Sequence, residues 1–488
     1  MRRPQIVERA TIGFALFHHK SKPEWKPDGK HDNMLKQSLR LYRQLVLLLL
    51  ACLASYAASA TTIDTVVDHL KYRIDTDTHE ATIIGKEGAI HNISIPEYVI
   101  YNGVKYPITT IGESAFENCD DLTGSLTIGN KVITIGDYAF NFCNGLTGSL
   151  VIPNSVVTIG QYAFESCWGF TGSLTLSNSV TSIGKEAFAR SGFTGSLTIP
   201  NSITSLKGGT FYNSGFNGEL TIPNSVTSIE GMVFTNCDFT GELTLPDGLT
   251  EIGSMAFYEC GGFTGSLIIP NSVTAIGDGA FQRCSGFTGP LVISNSLKTI
   301  GGGVFEGCSG LSGQLTIPGS VTSIGIYAFE GCGGLTGELK ITDNVATIGY
   351  GAFQNCSGFS SLSIPENIIR IDDEAFSNCS GFKNIYYGAD EPVVAPENVF
   401  SDYSTPVLHV KESAINKIRT TMPWKFFTNI LSDVSGIVGI EGDAKQQGAN
   451  DIYDMRGVLI QSDASADVIR ALTPGVYIIG GKKVVKRQ

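Results

Sequence analysis

The sequence predicts a mainly β solenoid of about twelve stacked units, followed by a small β module. Three observations carry that prediction. A phenylalanine recurs at Phe116, Phe140, Phe164, Phe188, Phe211, Phe234, Phe257, Phe281, Phe305, Phe329, Phe353 and Phe376, always 23 or 24 residues apart. Such a fixed period is the signature of a repeat architecture. Glycine supplies 57 of 488 residues, well above the usual ~7%, and it lacks the Gly-X-Y spacing of a triple helix. No stretch between the phenylalanines is long enough for an ordinary helix. Charged residues are only 16% and apolar ones 42%, a balance that argues against a disordered chain. The net charge of −12 argues against a general nucleic-acid binder, which needs a basic stripe to displace counterions.

At the N-terminus, residues 34–60 read as a secretory signal peptide. Lys36, Arg40 and Arg43 precede an apolar run from Leu45 to Leu53, and Ala58-Ser59-Ala60 is a small-x-small cleavage site ending at Ala60. The run is too short for a comfortable membrane span. Met34 then reads as the natural start, which makes residues 1–33 an upstream extension. The alternative is lipoprotein processing before Cys52, since Leu49-Leu50-Ala51-Cys52 loosely fits that pattern.

The repeated unit reads approximately S-L-T-I-P-N-S-V-T-S-I-G-x-x-A-F-x-x-C-x-G-F-T-G. Leu126-Thr127-Ile128 alternates apolar and polar, as a short half-buried strand does. Proline and asparagine, as in Pro153-Asn154, then stop the strand and turn the chain. A second apolar pair such as Val156 and Ile159 precedes a glycine, and Ala-Phe inserts a ring beside a small residue. Three units lack one residue just after the cysteine position, and the last lacks one at Ser360-Ser361. Length changes are tolerated at turns. One such unit buries too little alone, so stacking is required.

This I-G-x-x-A-F-x-x-C signature resembles the BspA-like (Treponema-type) leucine-rich repeats. The likeness covers residues 111–385. Residues 61–110 resemble that family's N-terminal lead-in segment, and residues 386–432, with Pro423-Trp424-Lys425-Phe426-Phe427, its C-terminal cap. The resemblance implies a secreted, surface-displayed binding protein, an adhesin for host matrix proteins or bacterial surface proteins. An envelope glycan-binding or scaffolding role is the alternative.

Ten of the eleven cysteines occupy one position of the repeat, from Cys119 to Cys379, while Ser191 and Ser214 fill two rungs of the same ladder. Isolated disulfides would not tolerate such gaps, so the ladder reads as buried, reduced thiols packing as small apolar groups. All seven histidines lie outside the repeats. No zinc-protease, nucleophile-elbow, phosphate-loop or glycine-rich calcium motif is present. The sequence therefore predicts no enzyme, no metal and no cofactor.

The strand residue between two inward apolar positions faces solvent: Thr127, Val151, Thr175, Thr198, Thr221, Thr244, Ile268, Val292 and Thr316, continued by Lys340 and Ser363. Threonine suits such positions without any function. An extended solenoid sheet is also a broad binding surface, of about 55 Å at usual strand spacing. Val151, Ile268 and Val292, apolar where threonine would serve, are the better contact candidates. Glu219, Glu242 and Glu338 make the face acidic. Residues 111–378 hold 23 acidic against 8 basic side chains, which favours basic protein patches or neutral glycans over nucleic acid. Trp168 is expected at a partly exposed turn.

Residues 433–488 form the last module. Tyr453-Asp454 with Gly457, then Pro474-Gly475-Val476-Tyr477, then a basic end, resemble the sorting domain of type IX (Por) secretion in Bacteroidota. The plain alternative is a small β cap with a basic tail.

Overall fold

The structure, a computed structural model, describes residues 40–44, 46 and 62–432, and the backbone of four strands beyond them. The signal-peptide cleavage site at Ala60, Cys52 and the extension 1–33 lie outside the described residues. The chain divides into two units, residues 1–63 with 75–78, and the remainder. Of the first, the described part is an exposed helical stretch at residues 40–44 and 46, and a turn closed by Asp75 Oδ1, which accepts from the Thr78 amide at 3.0 Å.

The second unit is the solenoid, and it is longer than the phenylalanine count implies. One ladder of parallel strands begins at Ile90–Ser94 and Leu122–Thr127. It runs through two-residue strands such as Leu150–Val151 and Leu174–Thr175, and ends at Asn384–Tyr387, Val407–Val410 and Asn429–Leu431. That makes about fifteen turns rather than twelve. The segments flanking the repeats are themselves turns of the solenoid. They keep the inward pairs, such as Ile385 with Tyr387 and Leu408 with Val410, all fully buried, and the C-terminal segment also extends the phenylalanine column by Phe400, which follows Val399.

A second parallel ladder runs alongside, through Val104–Ile111, Thr134–Ile135, Thr158–Ile159 and Ser182–Ile183, and onward to Arg370–Ile371. Its register places Ile135, Ile159 and Ile183 in one inward column. On the turn side, each phenylalanine amide donates to the carbonyl of the residue just before the next unit's phenylalanine; Phe116, Phe140 and Phe164 do so to alanines at 2.8 Å, and Phe188 does so to Thr210 at 2.9 Å. Backbone groups on three sides of the unit are thus satisfied between neighbours.

The core is columnar. Ring centroids from Phe116 to Phe400 follow one another at 5.0 to 6.0 Å, nearly parallel. A second column, Phe170, Phe193, Phe216, Phe239, Phe263 and Phe287, lies beside it. The glycine after each inward isoleucine is a close-approach residue: a Cβ on Gly136 would sit 2.7 Å from the Glu113 amide nitrogen of the unit before. At the C-terminal end Trp424 is fully buried, stacks on Tyr387 at 4.3 Å, and donates from Nε1 to the Val393 carbonyl at 2.8 Å.

All ten described cysteines are free thiols. Nine donate from Sγ to the carbonyl of the preceding unit's phenylalanine; Cys260 to Phe234 and Cys284 to Phe257, for example, at 2.9 Å. Ser214 Oγ makes the equivalent bond to Phe188 at 2.8 Å, which is why serine is an acceptable rung. Cys119, at the first rung, has no such carbonyl before it and is half-buried.

The backbone strands beyond residue 432 form an antiparallel sheet in the order Leu459–Gln461, Ile452–Tyr453, Gly475–Ile479, Lys482–Lys486. No helix among the described residues is long and apolar enough to cross a membrane.

Candidate functional site

The first ladder presents one side chain per turn to solvent. Thr127, Val151, Thr175, Thr198, Thr221, Thr244, Ile268, Val292 and Thr316 are all exposed. Their flanking residues point inward; Leu150 and Ile152, for example, are fully buried on either side of Val151. Period-two alternation places them there. Val151 is the most exposed of the three apolar members at 60%, followed by Ile268 and Val292.

Ser363 departs from the expectation. It is buried, and its hydroxyl donates to Glu338 Oε1 at 2.7 Å. In register it lies between Lys340 and Tyr386, so two longer side chains close over a short one. Glu338 is thereby engaged, unlike Glu219 and Glu242.

The face is not uniform. Strand pairing along the ladder is interrupted at several joints, among full-length units as well as among the shortened ones. Leu197–Thr198 pairs with Leu220–Thr221, but Gly241–Glu242 pairs onward with Phe263–Thr264. At that interruption lies a concavity of about 580 Å³, lined by Glu219, Thr221, Glu242, Thr244, Thr264 and Gly241 among others. Both glutamates are exposed. Among the described residues neither carboxylate has a hydrogen-bond or ion-pair partner. Thr221 and Thr244 are thus brought together with two acids, whereas Thr127 and Thr316 lie on distant turns. A smaller hollow, about 230 Å³, sits farther along, lined by Lys340, Asp343, Glu366, Asn367 and Lys411. There Lys411 Nζ reaches Asp390 at 3.0 Å and Glu366 at 3.3 Å.

Three of the described histidines have side-chain contacts, His79 stacking on Tyr106 at 6.2 Å. His91 Nδ1 lies 3.0 Å from Thr123 Oγ1, and His409 Nε2 lies 3.0 Å from Asn384 Oδ1, with its ring stacked on Tyr386. Among the described residues no group of three or more His, Cys, Asp or Glu is placed to hold a metal ion. Burial pushes the Cys167, Cys237, Cys308 and Cys379 thiols up to about 12, which makes them poor nucleophiles near neutrality.

Trp168 is half exposed at a turn, as its sequence position predicts. Tyr138 and Tyr162 stack at 5.0 Å, and Phe142, 43% exposed, lies near Tyr138 in sequence. The signal was present in the repeat alignment, since other units carry small or polar residues at the Phe142 position.

Residues 109–218, 216–336 and 312–422 match the family described as BspA type leucine rich repeat region, in six copies. Comparison with curated proteins returns no match. Among solved structures, a leucine-rich repeat protein of Bacteroides ovatus is similar at 24% identity, covering 66% of this chain and 94% of its own, with a TM-score of 0.47. A leucine-rich cell surface protein of Faecalibacterium prausnitzii is similar at 25% identity, covering 68% and 96%, with a TM-score of 0.42. The pneumococcal vaccine antigen PcpA is similar at 16% identity, covering 77% and 99%, with a TM-score of 0.40.

Proposed function

The chain belongs to the BspA-type leucine-rich repeat proteins, and we propose that it is a secreted, surface-displayed adhesin that grips basic segments of partner proteins. The acidic concavity on the sheet face carries this reading. It joins two unpaired carboxylates, Glu219 and Glu242, to the hydroxyls of Thr221, Thr244 and Thr264. A lysine or arginine side chain finds there both charge and hydrogen-bond acceptors. The flanking exposed apolar residues, Ile268 and Val292, offer contact area for the stem of such a side chain or for its neighbours. Surface display rests on the signal peptide ending at Ala60 and on the sorting-domain resemblance of residues 433–488, both read from sequence. The reading as a binding protein, not an enzyme, rests on the matched repeat family and on the high-pKa buried thiols.

The test is a screen of the purified chain against matrix and bacterial surface proteins, repeated with Glu219→Lys/Glu242→Lys. The charge reversal is expected to weaken a hit by tenfold or more, about 1.4 kcal/mol, and the wild-type interaction is expected to fade with salt. Unchanged binding by the folded double variant removes the groove from the argument. Protease shaving of intact cells releases the solenoid if it is displayed; a protein protected until the envelope is opened refutes surface adhesion.

A further inference from the structure

Each unit holds left-handed backbone at two positions, two residues before the core phenylalanine and two residues after it. At the second position most units carry a residue that tolerates φ > 0, such as Asn118, Asn213, Asn236, Gly307, Gly331 or Asn355. Ser166, Arg190, Glu259 and Arg283 stand there in other units, and Phe142, with φ 56°, is the one aromatic at that position of the twelve units. At the first position Tyr138 and Tyr162, with φ 56° and 55°, share left-handed backbone with Met232, Met255 and Tyr327, where a bulky side chain is disfavoured.

Packing gives Phe142 no compensation. Its ring is 43% exposed, and its neighbours in the column, Asn118 and Ser166, offer it no ring. Trp168 is 50% exposed, and the following unit lacks the residue that would stack beside it. Tyr138 stacks on Tyr162 with ring planes 13° apart, while the column neighbour on its other side is only Ser114. Phe142 thus combines disfavoured backbone with an exposed ring, and such an outlier points to function.

A fixed polar chain runs between the tyrosine column and the Phe142 column. Asn141 Nδ2 donates to Glu165 Oε2 at 3.0 Å, and Arg190 Nη1 donates to Glu165 Oε1 at 2.9 Å. Asn141 and Glu165 are buried, and the Arg190 guanidinium lies 5.3 Å from the Tyr212 ring centre. Glu165 thus anchors the guanidinium, and the remaining Arg190 N–H groups keep hydrogen-bonding capacity toward solvent.

Exposed rings beside an anchored, part-exposed guanidinium suit a ligand that is apolar on one face and hydroxylated at its edge. Successive units stand about 4.8 Å apart, close to the length of one pyranose residue. A membrane surface would call for a surplus of basic side chains, whereas Glu165 offsets Arg190 here. The geometry points to a binding platform for neutral glycan chains on the turn face of the second and third units. Tyr138, Phe142 and Trp168 pack on the sugar faces, and Arg190, held in place by Glu165, donates to the hydroxyls. It is separate from the acidic sheet-face groove and takes a different class of ligand.

Affinity electrophoresis of the full chain through gels containing mixed-linkage β-glucan, xyloglucan, galactomannan or α-mannan tests this. Retarded migration is expected in at least one gel, with retention lowered about tenfold or more by Trp168→Ala and by Phe142→Asn. Asparagine is the residue other units carry there, so Phe142→Asn removes the ring and relieves the backbone; its thermal midpoint is expected to stay or rise. Free migration in all four gels overturns the platform. So does retention by Phe142→Asn and Trp168→Ala equal to wild type. Loss of retention in Glu219→Lys/Glu242→Lys also overturns it, because that result moves the glycan to the sheet face.

Discussion

Alkaline pH is expected to unfold the solenoid through its thiols. Cys167, Cys237, Cys308 and Cys379 are each pushed up to about 12 from an ordinary 9.0, with burial the largest cause. An acid whose folded pKa is raised lends stability that is fully present below its unfolded pKa. That stability is lost as pH climbs from about 9 toward about 12, because the unfolded chain releases protons that the folded chain keeps. At pH ~10 the loss is about 1.4 kcal/mol per thiol. These four together remove about 6 kcal/mol, comparable to the whole margin of a typical domain. Cys260, Cys284, Cys332 and Cys356 shift in the same direction for the same reason. Tyr72 and Tyr403, also raised to about 12, add a smaller loss that begins higher, since their ordinary value is 10.0. The assay is denaturant unfolding followed by circular dichroism across a pH series under reducing conditions, with thiolate absorbance read in parallel. Stability should fall steeply above pH ~9, and thiolate absorbance should appear only as the β signal disappears. A Cys167→Ser/Cys237→Ser/Cys308→Ser variant keeps the carbonyl bonds, as Ser214 does, and should lose about 4 kcal/mol less by pH ~10. Thiolate absorbance rising near pH ~9 in a still-folded protein would refute the reasoning, as would an equally steep fall in the triple variant.

Two further perturbations test the columns. Phe234→Ala removes a fully buried ring that stacks on Phe211 at 5.8 Å and Phe257 at 5.3 Å and meets Phe239 edge-on. It is expected to cost about 3–5 kcal/mol, and hydrogen exchange should rise first in the turns on either side, because each turn contacts only its neighbours. Gly349→Ala places a methyl 2.7 Å from the Ile326 amide nitrogen, backbone that cannot rotate aside. It should lower stability by about 1–3 kcal/mol, and an unchanged thermal midpoint would show that the turns are not packed as closely as described.

The phenylalanine period, the thiol ladder and the outward threonines were legible because each is a side-chain choice repeated in every unit. The ends were harder to read. At Ile93, Ile385, Tyr387, Leu408 and Val410 the ladder needs only alternating inward residues, which are buried, and the ring that continues the column, Phe400, follows Val399 and not an alanine. Ser363 lies under its neighbours: alternation assigns it a face but says nothing of Lys340 and Tyr386 on either side. The groove at Glu219 and Glu242 was not legible either. It lies where Leu220–Thr221 and Gly241–Glu242 are not paired with each other, and no side-chain pattern records that.

The shape of the groove and its charge have different origins. Strand pairing is broken at Gly241–Glu242, but also between full-length units, as between Leu122–Thr127 and Leu150–Val151 and between Leu291–Val292 and Gly313–Thr316. The edge-on meeting of the two phenylalanine columns is likewise shared: Phe234 meets Phe239 at 5.8 Å in a shortened unit, and Phe257 meets Phe263 at 6.3 Å in a unit without the omission. A break in the ladder is therefore common to many turns, and what this place adds is charge, because Glu219 and Glu242 line one concavity together. Glu219→Gln/Glu242→Gln keeps the shape of the groove and removes its charge, so binding that depends on the acids should be lost in this variant and binding that depends on shape alone should survive it.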